Sequence, residues 1–314
     1  MRKKSIVIFV LLILAFNSYA QISIKYPNDK GIEKDPNVLF VENFDDDLRS
    51  VISRYDNVHN SEGMVLEKDI PPGSKDGFSL KMTSIQGKTN GGHLYKSFSP
   101  GFDSVVYLRY YIKYPETSKG YFHHEGVWFG GYNPAVKYAN PQAGICGLGD
   151  KRISIAYEMM DSNRLHSFPH IGPYIYWGDM RNFPNNMCYG NLMQCGDYNP
   201  PVKAEFDEWT CVEIMIKLNN PVSSYNGELR TWVNGKETGY WGPGFPKGSW
   251  TWGNFFITPD GEPFEGFRWR TEKNLNINWI WLEFYHENPK AQNSSMQLDH
   301  VVMAKKYIGP IQTK

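Results

Sequence analysis

The richest chemistry in this chain of 314 residues sits in three short stretches: a histidine pair at His123-His124, an arginine at Arg152, and two tyrosines one residue apart, Tyr174 and Tyr176. In an extended strand, side chains two residues apart share a face, so Tyr174 and Tyr176 lie together, and so do Arg152 and Glu158. A tyrosine held near an arginine suits β-elimination of a uronic acid. A cation or hydrogen-bond donors neutralise the carboxylate and acidify the adjacent C–H. A Tyr or His then removes that proton, and a Tyr can protonate the leaving oxygen. Adjacent His residues on a strand point to opposite faces unless a bulge intervenes, so one of His123 and His124 is expected to be structural. Trp128, Tyr132 and Asn133 follow them around Gly130-Gly131 and are candidate substrate contacts.

The same period of two nominates further candidates. In the strand from Trp279, the residues Ile280, Leu282 and Phe284 suit the core and leave Trp281, Glu283 and Tyr285 on the other face. The strand from Trp209 places Glu213 and Lys217 opposite Val212, Ile214, Ile216 and Leu218. The strand from Val105 places Arg109 and Tyr111 opposite Leu108, Tyr110 and Ile112. A single sheet face bearing Trp, Tyr, Arg and Glu would form a groove for a polar chain molecule. The 10 Trp, 20 Tyr and 18 Phe fit that picture, because sugars stack their C–H faces on flat rings, although aromatic residues also favour strands in their own right.

These residues need a β framework. Short alternating segments with Gly, Pro and Asn turns recur from Phe40 to Lys305, Asn234-Gly235 reads as a hairpin turn, and no long amphipathic helix interrupts them. The expectation is an all-β antiparallel sandwich or jelly roll, in one domain over residues 21–314. Two long loops, 134–150 and 182–201, are expected to serve function.

The order of motifs resembles the concanavalin-A-like jelly-roll polysaccharide lyases of the alginate and glucuronan lyase type. The matching stretches are His123 to Gly131 with its Gly-Gly turn, Arg152 to Glu158, Tyr174-Ile-Tyr176, Asn234-Gly235-Lys236 and Leu298-Asp299-His-Val-Val302. The resemblance implies a secreted enzyme acting on an acidic polysaccharide, with Tyr174 or Tyr176 as the catalytic tyrosine, Arg152 as the cation, and His123 or His124 as base or carboxylate-neutralising group. One departure is plain: His-His-Glu-Gly-Val-Trp stands where a Lys-rich stretch would be expected.

Residues 1–20 read as a signal peptide, with Arg2, Lys3 and Lys4 before an apolar run and Ser18-Tyr19-Ala20 before Gln21. The mature chain is expected to be secreted or periplasmic, monomeric and without a membrane span. With Lys+Arg and Asp+Glu both at 33, nothing recruits nucleic acid. Export permits disulfides among Cys146, Cys188, Cys195 and Cys211; the short loop between Cys188 and Cys195 favours that pair, while the other pairings stay open. Glu42, Asn43 and Asp45, meeting Asp299 where the first and last strands pair, would suit a structural Ca²⁺. Two other functions fit the same surface. A non-catalytic carbohydrate-binding module needs only the aromatic face. A sandwich glycoside hydrolase needs paired carboxylates; the compact Glu-x-Asp-x-x-Glu pairing is absent, which leaves Glu213 with Glu283.

Overall fold

The computed structural model describes residues 21–119, 123–140, 143–146, 149–160, 169–195, 202–286 and 292–313. The expected leader, residues 1–20, lies outside these. No helix among the described residues is long and apolar enough to cross a membrane.

Two sheets pack face to face. The smaller, eight-stranded sheet runs in the order Lys236–Trp241, Glu228–Val233, Trp209–Lys217, Val105–Lys113, Ser294–Ala304, Ser79–Ser84 and Met64–Glu67, with Val38–Glu42 also paired to Ser294–Ala304. The larger, eleven-stranded sheet carries the central series Asn191–Cys195, His170–Tyr176, Arg152–Met160, His124–Tyr132, Ile277–Tyr285, Gly91–Phe102 and Asn57–His59. Pairing is antiparallel except where Asn191–Cys195 meets Asn254–Ile257. This is the expected all-β jelly-roll sandwich. One six-residue helix, Leu48–Ser53, is started by the Asp47 carboxylate, which accepts from the Arg49 and Ser50 N–H groups.

Alternation builds the interior as expected. Leu108, Tyr110 and Ile112 from one sheet meet Val127, Phe129, Ile280, Leu282 and Phe284 from the other in one continuous apolar core. Asn234-Gly235 turns with both residues at positive φ, as a two-residue hairpin of this type demands.

The outer face of the smaller sheet departs from expectation. Arg109, Tyr111 and Glu213 do point away from the core, but the chain's two ends cover them. Arg109 is fully buried in an ion pair with Asp29. The Tyr111 hydroxyl accepts from the Ile311 N–H at 2.9 Å. Glu213 accepts from the Ile308 and Gly309 N–H groups at 2.7 and 2.8 Å. Period-two patterning assigns a residue to a face; it does not say which sheet the face belongs to, or what is folded over it. These three residues fasten the termini and touch no glycan groove, and Glu213 cannot pair with Glu283 across the sandwich.

The calcium set does not assemble either. Glu42 takes a two-pronged interaction with Arg54, at 3.0 and 2.7 Å, and accepts the Phe44 N–H. Asp299 is buried and accepts from the His300 N–H at 2.7 Å. Asn43 and Asp45 bond to each other and line a cavity of about 550 Å³ with Asp29, Asp76 and His300. Among the described residues no three His, Cys, Asp or Glu side chains converge on a point that would hold an ion.

Burial pushes the Glu213 carboxyl up to about 7, against the opposing pull of the two N–H donors and Arg109. A raised carboxyl contributes its stability below its unfolded value and loses it as pH rises through the folded one. Urea unfolding should therefore show the protein losing on the order of 3 kcal/mol more between pH 4.5 and pH 8 than Glu213→Gln does, at about 1.36 kcal/mol per pH unit of displacement; parallel curves for the two proteins would contradict this account.

Candidate active site

The outward face of the larger sheet gathers most of the expected residues. Tyr95, Trp128, Tyr132, Ala156, Tyr176, Trp279 and Trp281 form an apolar cluster separate from the main core. Strand register explains the gathering: Trp281 is opposite Trp128 on one side and Tyr95 on the other, and Tyr174 and Tyr176 are opposite Ala156 and Ser154. Rings stack or meet edge-on across the strands, with Tyr132 5.3 Å from Trp279 and Trp128 5.9 Å from Trp281.

Arg152 lies at one end of this floor, 4% exposed, with its guanidinium 4.2 Å from the centre of the Tyr176 ring. It makes no hydrogen bond or ion pair with any described residue, and its Nε is enclosed. Loss of water pulls its proton affinity down, and the neighbouring tyrosines Tyr176, Tyr132 and Tyr174 work against that. Burying an unpaired cation is costly, so the site is primed for an anion.

The Tyr174 and Tyr176 hydroxyls hydrogen-bond at 3.1 Å. Burial raises both phenols, while the Gly190 N–H against them pulls the other way. Gly190 leaves no room for a side chain: a Cβ there would sit 2.3 Å from the Tyr174 ring.

His124 sits 5.5 Å ring to ring from both Tyr174 and Trp128. Its Nδ1 is 3.1 Å from a Glu158 carboxylate oxygen. When Nδ1 carries the proton and donates to an ionised Glu158, the acceptor lone pair of the neutral ring lies on Nε2. Glu158 is 3% exposed, and burial pushes its carboxyl well above the ordinary range. His123 does not point away from His124. It lies in a bend before the strand His124–Tyr132, where alternation does not apply, and the two rings are 4.3 Å apart with Tyr285 against both. Trp281, Glu283 and Tyr285 share the face, as expected. Asn133 is at the margin and spends its amide on the Asp150 carbonyl, 3.0 Å away.

Sequence reasoning missed the opposite margin. His93 lies opposite Glu283, with its ring 5.6 Å from Trp281 and its Nε2 2.9 Å from Asn57. Its neighbour His59 is opposite it in turn. The strand Gly91–Phe102 carries Gly, Pro and Lys within its bounds, so its alternation was hidden.

The first expected loop flanks the floor; the second, expected over 182–201, contains the strand Asn191–Cys195, and its residues 196–201 lie outside the described ones. The Tyr95 and Tyr132 hydroxyls donate to the Val136 and Asn140 carbonyls, which folds the first loop over the cluster. Cys146 of that loop is disulfide-bonded to Cys188 of the second. This corrects the expected Cys188 partner: the bond joins two loops rather than closing one. Cys211 is a buried free thiol.

No family model matches the sequence, and no curated protein matches it. Solved structures do match in shape. A variant of alginate lyase Aly36B, solved in complex with alginate tetrasaccharide, superposes with a TM-score of 0.56 at 15% identity, over 86% of this chain and 98% of that one. The chain has the jelly-roll fold of the alginate lyases. Alginate lyase vAL-1 from a Chlorella virus gives a TM-score of 0.51 at 15% identity, over 86% and 100% of the two chains. The marine alginate lyase from Aplysia kurodai gives 0.54 at 10%, over 85% and 98%. At such identities the likeness is one of fold.

Burial, then the neighbouring His59, pushes the His93 imidazole down to about 4. Its ring C–H resonances in an NMR titration should stay at their neutral positions from pH 8 to pH 5; a midpoint above pH 6 would mean that this margin is open to water.

Proposed function

We propose that the protein is a secreted polysaccharide lyase that cleaves an acidic, uronate-containing glycan by β-elimination. The observation that carries this reading is the buried Arg152 guanidinium with no acidic partner among the described residues, seated on Tyr176 beside the paired tyrosine hydroxyls. A uronate carboxylate is the planar anion that a guanidinium binds through two N–H groups, and neutralising it acidifies the C5 proton. His124, held at Nδ1 by Glu158 and 5.5 Å ring to ring from Tyr174, is the base for that proton in this reading. The Tyr174–Tyr176 pair positions the carboxylate end and donates to the charge that builds up there. Trp128, Trp281 and Tyr285 supply flat surfaces for sugars. Export is supported by the leader pattern at 1–20 and by the Cys146–Cys188 disulfide, which suits an oxidising compartment.

The test is to incubate the mature protein with uronate polysaccharides and follow the ultraviolet absorbance of the unsaturated product. The expected result is a rise that Arg152→Met, Tyr174→Phe and His124→Ala each reduce by roughly 10²- to 10⁴-fold in kcat/KM, the usual range for a positioned acid–base group. Retention on a glycan gel without new chain ends would instead identify a binding module. New reducing ends without absorbance would identify a hydrolase.

A further inference from the structure

Elimination needs a proton for the leaving oxygen as well as a base for C5. The tyrosines are the weaker donors for it: burial raises both phenols, and the bond between their hydroxyls holds one of the two protons. A carboxyl stands elsewhere on the same face. Glu283 lies between Trp281 and Tyr285 in its strand, opposite His93 on one side and Gly126 on the other. His124 is two residues from Gly126 on that neighbouring strand. This makes it a diagonal neighbour of Glu283 at roughly 7–8 Å, about the span of a sugar ring.

Glu283 is half-buried, and its carboxyl makes no hydrogen bond or ion pair with any described residue. The other two acids nearby are occupied: Glu158 faces His124 Nδ1, and Glu125 accepts the Met159 N–H. Their charges and the loss of water all act against ionising Glu283. Carboxyls this close do not all ionise together. The proton stays on the one that no donor stabilises, and that one is Glu283.

We propose that Glu283 is the catalytic acid that protonates the leaving glycosidic oxygen. The assignment rests on the elimination reading. His124 Nε2 takes the C5 proton, the C5–H electrons form the C4–C5 double bond, and the C4–O4 bond breaks with its pair going to O4. O4 takes the Glu283 proton, after which Glu283 regains a proton from water and His124 returns one. The groups facing Glu283 are His93 and, beyond it, His59 on one side, His124 and Glu158 on the other, and Tyr285 in its own strand; Glu125, opposite Phe284, points inward and acts on Glu283 through the sheet. Activity should therefore fall as pH rises and Glu283 ionises.

The experiment compares the wild type with Glu283→Gln on two substrates. One is the polysaccharide. The other is a uronide oligosaccharide with fluorine at C4, where fluoride leaves without needing a proton. The variant should lose roughly 10²- to 10⁴-fold in kcat/KM on the polysaccharide, along with the alkaline limb of its pH profile, yet release fluoride within about threefold of wild type. Retained fluoride release also reports an intact site. Wild-type cleavage of the polysaccharide by the variant, or equal loss on both substrates, would overturn the role of Glu283 while leaving elimination standing. A wild type that produces neither fluoride nor unsaturated ends would overturn elimination itself, and the Glu283 assignment with it.

Discussion

A positive charge removed from water, with no acidic group among the described residues to balance it, organises this molecule's outward face. Arg152 reaches the aromatic floor from the strand Arg152–Met160, is covered by it, and among the described residues rests on the π-face of Tyr176. A cation over a ring recovers a kcal/mol or two at best, well short of the several that desolvation costs. The remaining deficit must be borne by the rest of the fold. Eleven strands, a stacked set of aromatic rings and two overlying loops hold the guanidinium where it would not sit unaided. An anionic ligand would supply the missing partner, so the cost borne by the free protein and the proposed preference for an acidic glycan have a common origin.

The electrostatics on the two flanks of that floor differ in kind. Near Arg152 the groups are phenols and a guanidinium. Toward Glu283 they are carboxyls and imidazoles, several of them shifted by burial. Ionisable groups set in apolar surroundings and pushed apart in proton affinity are what acid–base chemistry uses. The outer face of the smaller sheet also buries charge, but there Arg109 has Asp29, and Glu213 has two backbone donors. Satisfied charges of that sort hold chain ends in place; unsatisfied ones invite a ligand.

Much of this was legible in the sequence, for a physical reason. Alternation with a period of two is imposed by the pleat, so Tyr174 with Tyr176, Arg152 with Glu158, and Trp281 with Glu283 and Tyr285 were placed on shared faces correctly. What alternation cannot encode is the third dimension. Arg109, Tyr111 and Glu213 have the same pattern as the true floor residues, and only the packing of the termini sends them elsewhere. His123 was misplaced because it precedes its strand rather than belonging to it. His93 was overlooked because a strand broken by Gly, Pro and Lys has little visible rhythm. The Cys146–Cys188 bond joins segments that only the folded sheet brings together.

That covalent bridge has a practical corollary. Gly190, two residues past Cys188, presses its backbone against the Tyr174 ring, and the Gly144 and Cys188 backbones bond to each other beside the bridge. Chain made in a reducing cytosol would complete the sandwich, whose core needs no sulfur chemistry, while the segment carrying Gly190 would be left unfastened. A recombinant preparation could then look well folded by every bulk measure and still lack the contact of Gly190 with the Tyr174 ring, simply because it was never passed through an oxidising compartment.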